Sequence, residues 1–111
     1  MSDKESCSKC GCHSDLESLK KTETRMKLRK LDGWRIDQIS SPQKLIKSYG
    51  FKSFVDALAF VIKVADIAEE MNHHPSIQLE WGKVGIEIWT HAVNDLTEND
   101  FILAREIDCI K

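Results

Sequence analysis

A change in the spacing of apolar residues at residues 72–75 constrains the fold of this chain most. Over about Phe54–Met71, apolar residues recur at steps of three and four, which predicts a long amphipathic helix. Ser53 and Asp56 form a start that resembles a capping box. Pro75 ends the helical pattern, because the residue before a proline disfavours the helical conformation. Beyond Pro75 apolar and polar residues alternate, as they do in half-buried strands.

The predicted helix has more apolar residues than one buried stripe requires. One apolar face contains Phe54, Leu58, Val61, Ile62, Ala65, Ala68 and Met71. The apolar surface is widened further by Val55, Phe60, Val64 and Ile67. Such an excess indicates either a thick core or contact with another subunit.

Two alternating segments after the helix predict a β-hairpin. They run over Ile77–Trp81 and Val84–Ile88, and Gly82-Lys83 lies between them. Glycine at the first of two loop positions is typical of a type II′ turn. Such a turn would pair Trp81 with Val84.

This register brings three of the four histidines to one end of the hairpin. His91 would lie opposite His74, with Cβ atoms about 4.5–5.5 Å apart, and His73 is adjacent in sequence. Histidine changes charge near neutral pH, so the cluster indicates proton transfer. A zinc site is the alternative. We favour proton transfer, because adjacent side chains on an extended backbone point in different directions and chelate poorly together.

Weaker patterns complete the fold. A helix is predicted over Thr22–Leu31, and strands over Trp34–Ile39 and Lys44–Phe51. After a start at Thr97–Asp100 that resembles a capping box, a short last helix is predicted from the apolar residues Phe101, Ala104, Ile107 and Cys109 or Ile110. The order is therefore α-β-β-α-β-β-α. Hairpins imply a four-stranded antiparallel sheet, and three helices on one face of it would form a two-layer α+β sandwich.

Length and charge limit the classes of function. The 111 residues fit one domain, which we expect at 22–111 behind a polar tail at 1–21. A net charge of −2 favours neither nucleic-acid nor membrane binding. No apolar run reaches the length of a membrane span, and residues 1–21 lack the apolar core of a signal peptide. We therefore expect a cytoplasmic protein.

The tail contains one cluster of potential metal ligands, Cys7, Cys10, Cys12 and His13. Structural zinc sites usually combine two separated pairs of ligands, and this cluster has no second pair. We therefore expect no specific metal there. Cys109, near the other end of the chain, is expected to be a packing residue.

The spacing of the distinctive residues resembles that of the pterin-4a-carbinolamine dehydratase family. The family's signature is an acidic residue, His-His-Pro, an aromatic residue, His or Trp, and a downstream Asp. In this chain those positions are Glu69, His73-His74-Pro75, Trp81, His91 and Asp100. Leu31–Trp34 and Phe51–Phe54 also match, and the resemblance covers about residues 22–111.

The resemblance implies helices on one face of a four-stranded antiparallel sheet, and a homodimer or homotetramer. It also implies removal of water from 4a-hydroxytetrahydrobiopterin to give quinonoid dihydrobiopterin. This reaction recycles the pterin used in aromatic amino acid hydroxylation and requires no metal or other cofactor. By the same resemblance His73, His74 and His91 are catalytic and contact the pterin. Asn72 and the backbone of Trp89-Thr90 would line the same pocket.

Dehydration across C4a and N5 requires a proton for the leaving hydroxyl and removal of a proton from nitrogen. We expect His73 and His91 to transfer these protons and His74 chiefly to hold the pterin. Asp100 lies where it would cap the last helix, which favours a purely structural role. Trp81 would either flank the pocket or join the core.

Two other functions remain open. Animal members of the family also act as dimerisation cofactors for a homeodomain transcription factor, so a non-catalytic binding module is one alternative. The other is an enzyme that acts on a different pterin, such as one linked to the molybdenum cofactor.

Overall fold

The computed structural model describes residues 21–37 and 43–111. Its elements are α1 (Lys21–Arg29), β1 (Arg35–Asp37), β2 (Lys44–Gly50), α2 (Phe54–Met71), β3 (Ser76–Glu80), β4 (Lys83–Ile88) and α3 (Glu98–Ile110). The predicted order of elements and the α+β class are confirmed. The cysteine cluster of the tail lies outside the described residues, so the expectations for it stay predictions.

All four strands form one antiparallel sheet in the order β1-β2-β4-β3. The face that meets the helices is apolar and contains Leu45, Tyr49, Val84, Ile86 and Ile88, which are all buried. The opposite face, called the open face below, presents the alternate residues of the strands. They include Lys44, Ile46 and Ser48 of β2, Ser76 and Gln78 of β3, and Gly85 and Glu87 of β4.

The predicted register of the second hairpin is wrong. Glu80 pairs with Lys83, so the turn is Trp81-Gly82. Gly82 has a φ of 70° at the second central position, as a type II turn requires, whereas the predicted type II′ turn has it at the first. A Cβ on Gly82 would lie 3.0 Å from the carbonyl oxygen of Phe51, which also favours glycine there.

The corrected turn moves every predicted pair by two residues. An even shift leaves each side chain on its predicted face of the sheet, because side chains alternate with a period of two. Continued beyond Ser76–Glu87, the observed register aligns His74 with Trp89 rather than with His91. Trp81 lies at the turn, at the other end of β3 from His74, and is 72 % exposed. It therefore neither joins the core nor flanks the histidines.

The prediction of which face of α2 is buried is also largely wrong. The residues that α2 buries are Ala57, Phe60, Val64, Ala68 and Met71. A second apolar stripe, called the outer stripe below, is 40–71 % exposed and consists of Phe54, Val55, Leu58 and Ile62. Both stripes recur with the helical period, so the sequence alone does not decide which one meets the sheet.

A carboxylate fixes the last turns of α3 against the sheet. Asp108 accepts hydrogen bonds from Trp34 Nε1 (3.0 Å), Lys47 Nζ (2.9 Å) and Tyr49 Oη (2.5 Å). Burial, with the hydrogen bond to Asp108, raises the pKa of Tyr49 well above its usual value, so this hydroxyl stays a neutral donor. Cys109 next to it is exposed, contrary to the packing role expected from the sequence.

Among the described helices, none is both long and apolar enough to cross a membrane.

Candidate active site

The end of α2 directs two adjacent histidines to different surroundings. Asn72 caps the helix in the left-handed conformation, with a φ of 53°, and its N–H points at the carbonyl oxygens of Ala68 and Glu69. Asparagine tolerates this conformation better than most residues. Beyond this turn the side chain of His73 is 6 % exposed and that of His74 is 54 % exposed. The exposed Asn72 thus has a conformational role, which the resemblance did not specify.

His73 belongs to a buried hydrogen-bond network centred on Asp100. Its Nε2 lies 2.6 Å from Oδ1 of Asp100, and the carboxylate is fully buried. Oδ2 of Asp100 accepts from Thr90 Oγ1 (2.9 Å) and from the backbone N–H of Thr97 (2.7 Å). Since the Thr90 hydroxyl donates to Asp100, it accepts from Thr97 Oγ1 at 2.7 Å. Hydrogen bonds compensate this buried carboxylate for the loss of water.

Asp100 therefore has two functions, and the purely structural role expected from the sequence is incomplete. Thr97 is the N-cap of α3, and the bond from its N–H to Asp100 is half of a capping box. The other oxygen of the same carboxylate holds His73. One side chain thus joins the end of α2, the segment after β4 and the start of α3.

His74 is held by a different carboxylate, at the surface. Its Nε2 lies 2.6 Å from Oε2 of Glu69, which is 77 % exposed. Glu69 lies in the last turn of α2, so helix and histidine are linked across the Asn72 turn. This contact fixes one ring nitrogen of His74 and so orients the imidazole.

His91 lies on the open face of the sheet, against an aromatic side chain. Its imidazole stacks on the indole of Trp89, with ring centroids 4.5 Å apart and planes 12° apart. Lys44 Nζ lies 4.5 Å from the centroid of the same indole and 3.4 Å from Glu87 Oε1. Because Lys44 projects from the open face, these contacts place Trp89 and His91 on that face as well.

The histidine-bearing segments thus come together differently from the prediction. The direct pairing of His74 with His91 is wrong, because it required the incorrect turn. Instead Asp100 links His73 to Thr90, and His91 follows Thr90 in the chain. The backbone of Thr90 is also fixed, because it bridges to Asp95 across the turn that contains His91.

Several contributors to this site had no catalytic or ligand-binding role in the sequence interpretation. Glu69 and Asp100 were visible as parts of the signature, and their hydrogen bonds to histidine were not. Lys44 gave no signal, because its approach to Trp89 depends on the register between β2 and β4. Within residues 21–37 and 43–111, no group of three or more His, Cys, Asp or Glu residues is arranged to hold a metal ion.

Comparison with known proteins gives a uniform result. A family model described as pterin 4 alpha carbinolamine dehydratase matches residues 17–110. The mitochondrial pterin-4-alpha-carbinolamine dehydratase 2 of Arabidopsis thaliana is 44 % identical over 103 residues, covering 92 % of this chain and 54 % of that protein.

Two solved structures are similar. A transcriptional coactivator/pterin dehydratase from Brucella melitensis has a TM-score of 0.79 at 32 % identity, covering 85 % of this chain and 98 % of that one. A pterin dehydratase-like protein identified as a RuBisCO assembly factor has a TM-score of 0.61 at 26 % identity, covering 71 % and 89 %. From the family match and these likenesses, the chain belongs to the pterin 4 alpha carbinolamine dehydratase family.

Proposed function

We propose that this protein removes water from a 4a-hydroxytetrahydropterin, such as 4a-hydroxytetrahydrobiopterin, and thereby recycles the pterin used in aromatic amino acid hydroxylation. The observation that supports this most is the Asp100 network, which ties the His73-His74 segment to the Thr90-His91 segment. Family membership supplies the substrate class. The cytoplasmic location stays a prediction, and the name of the Arabidopsis relative assigns that protein to mitochondria.

The reaction needs two proton transfers and no change of oxidation state. The C4a–O bond breaks as the hydroxyl receives a proton and leaves as water. The N5–H bond gives its proton to a base, and its electron pair forms the C4a=N5 double bond of the quinonoid product. General acid and general base groups at the two atoms each contribute about 10²–10⁴-fold.

We assign the two proton transfers to His74 and His91, which differs from the division expected from the sequence. Both are exposed to solvent and hence to a ligand, whereas His73 is 6 % exposed and its partner carboxylate, Asp100, is fully buried. In this assignment His73 is the fixed group that positions the loop. Glu69 orients His74, and the indole of Trp89 restrains His91.

The test is rapid absorbance kinetics on carbinolamine generated by an aromatic amino acid hydroxylase. We expect the purified protein to exceed the spontaneous rate by at least about 10²-fold, with the same rate in the presence of a chelator. A rate equal to the spontaneous one would contradict the dehydratase proposal. A chelator-sensitive rate would favour the zinc alternative.

We further propose that the protein is a homodimer or homotetramer that associates through the outer stripe of α2. Exposed apolar clusters of this kind mark interaction sites. The change Ile62→Lys places a charge in the stripe, where the wild-type side chain is 55 % exposed, and it should convert the assembly to monomers without unfolding them. Light scattering measures this, with the neighbouring exposed Lys63→Ala as control. A wild-type mass of 12.7 kDa at micromolar concentration would refute the proposal.

A binding module is the second candidate, and the outer stripe favours it. One similar structure is described as a transcriptional coactivator, so a protein partner could occupy this helix face. Replacement of His91 distinguishes dehydration from partner binding, because the outer stripe is on α2 and does not include that residue. Partner binding should survive its replacement, and dehydration should not.

A further inference from the structure

We propose that the open face contains an anion-binding subsite that receives the C6 substituent of the pterin. The preferred substrate would then be a tetrahydropterin whose side chain ends in a phosphate or carboxylate. This inference rests on the proposed function for the position of the ring. The residues of the subsite itself belong mainly to the strands of the sheet.

A cavity of about 360 Å³ lies on the open face. Gly85 forms part of its lining, with Ser48 and Gln78 beside it on the neighbouring strands. A Cβ at position 85 would meet only Gln78, at 3.9–4.0 Å, so the absence of a side chain leaves the hollow open. This volume is at the lower end of the range for small-molecule sites, which is about 300–1,000 Å³.

The charges around the cavity favour an anion. Arg35 and Lys83 line it, and neither forms a salt bridge within the described residues, although Glu80 is the cross-strand partner of Lys83. The acidic residue of the lining, Glu87, is already within 3.4 Å of Lys44. Lys47 is likewise engaged by Asp108.

The hydrogen-bond donors that line the cavity are also of the types that bind oxyanions. Arginine binds phosphate and carboxylate with two parallel hydrogen bonds, and serine hydroxyls and a glutamine amide add neutral donors. Such donors are provided by Arg35, Lys83, Ser48, Ser76 and Gln78.

The cavity lies one row of residues away from Trp89 on the open face. Its Ser76–Glu87 pair is the row next to Trp89 on the same face, and successive rows of one face lie about 6.8 Å apart. A pterin ring beside Trp89 and His91 would thus direct a short side chain over Ser76 toward Gly85. A charged end group would then reach Arg35, which is aligned with Ile46 and Glu87 across the sheet.

Binding of stable pterins to the full-length protein tests this by fluorescence. The probes are 6-carboxypterin, a pterin with a phosphorylated C6 side chain, and neutral biopterin. We expect at least one anionic probe to bind about tenfold tighter than biopterin, as one charge-assisted contact allows. Tighter binding of the phosphorylated probe would identify the preferred end group as a phosphate, and tighter binding of 6-carboxypterin would identify it as a carboxylate.

Two variants connect any preference to the cavity. Arg35→Gln removes the charge, and Gly85→Val fills the cavity with a residue that suits a strand and whose Cβ makes only ordinary contacts. Each should reduce the tenfold preference to about one. Gly50→Val is the matched control, since Gly50 lies at the end of β2, outside the cavity lining, and has open space around it.

The outcomes distinguish failure of the anion-subsite proposal from failure of the dehydratase proposal. Dehydration without an anion preference overturns the subsite and leaves the dehydratase proposal standing. An anion preference that Gly85→Val abolishes supports the subsite even where no dehydration is measured. A preference that survives both Arg35→Gln and Gly85→Val places the anion elsewhere and overturns the inference.

Discussion

Replacing His91 by alanine should lower the rate of catalysed dehydration by about 10²-fold or more. The imidazole is an exposed ring held flat on Trp89, so it can exchange a proton with a ligand on the open-face side. Little stability should be lost, because the stack contributes only about 0.5–1.5 kcal/mol and His91 is exposed. Rapid absorbance kinetics and thermal unfolding of the same sample separate these two effects.

The double variant of His74 and His91 sharpens the first prediction. Two groups that act in one proton-transfer sequence are not additive, so the double change should cost less than the product of the single changes. Fully multiplicative losses would contradict the assignment of a joint role. A His91→Ala rate within twofold of wild type would remove His91 from the chemistry altogether.

Replacing Asp100 by asparagine should lower both stability and activity. An amide presents an oxygen on one side and an NH₂ on the other. With the NH₂ in place of Oδ2, it would face the N–H of Thr97, another donor. With the NH₂ in place of Oδ1, His73 would have to change tautomer to accept from it. A buried donor left unsatisfied costs about 1–3 kcal/mol, a substantial part of the stability of a domain of this size. Loss of the His73 contact should also reduce kcat, because the backbone segment that carries His74 loses its attachment to the Asp100 network.

Asp108→Asn is the matched control for Asp100→Asn. Asp108 lies in the same helix, about 12 Å further along it. Like Asp100 it accepts three hydrogen bonds, and in Asp108 all three come from side chains. We expect this variant to lose stability and to keep the kcat of the wild type under conditions where both are folded. Chemical denaturation and kinetics at one temperature measure both quantities. An equal loss of kcat in the two variants would show that Asp100 acts on activity only through stability.

Local signals made most of the fold predictable from the sequence. The bounds of α2 agree with the prediction because Ser53 caps its start and accepts from the N–H of Asp56 (3.1 Å). Asn72 ends the helix in the left-handed conformation, and Pro75 disfavours the helical conformation in the residue before it. β3 and β4 agree to within one residue, since alternation of apolar residues reports a face of a sheet directly.

Properties that depend on distant residues could not be predicted. α2 has two apolar stripes, and only the packed sheet shows that Phe60 and Val64 face the core while Leu58 and Ile62 do not. The observed turn at Gly82 is in contact with Phe51, which donates its backbone N–H to the carbonyl oxygen of Gly82 (2.8 Å) and is 31 positions away in sequence. For the site, the signature identified the segments, and the pairing of each histidine with its own carboxylate required the three-dimensional fold.

The double attachment of Asp100 has a consequence for how such chains diverge. A descendant that lost catalysis would still need an acidic side chain at this position, because Asp100 caps the start of α3. Glu69 and His91 are exposed, so their loss would cost such a lineage little stability. An aspartate here is therefore uninformative about turnover, and under the proposed mechanism we expect the exposed Glu69 and His91 to be the more informative positions.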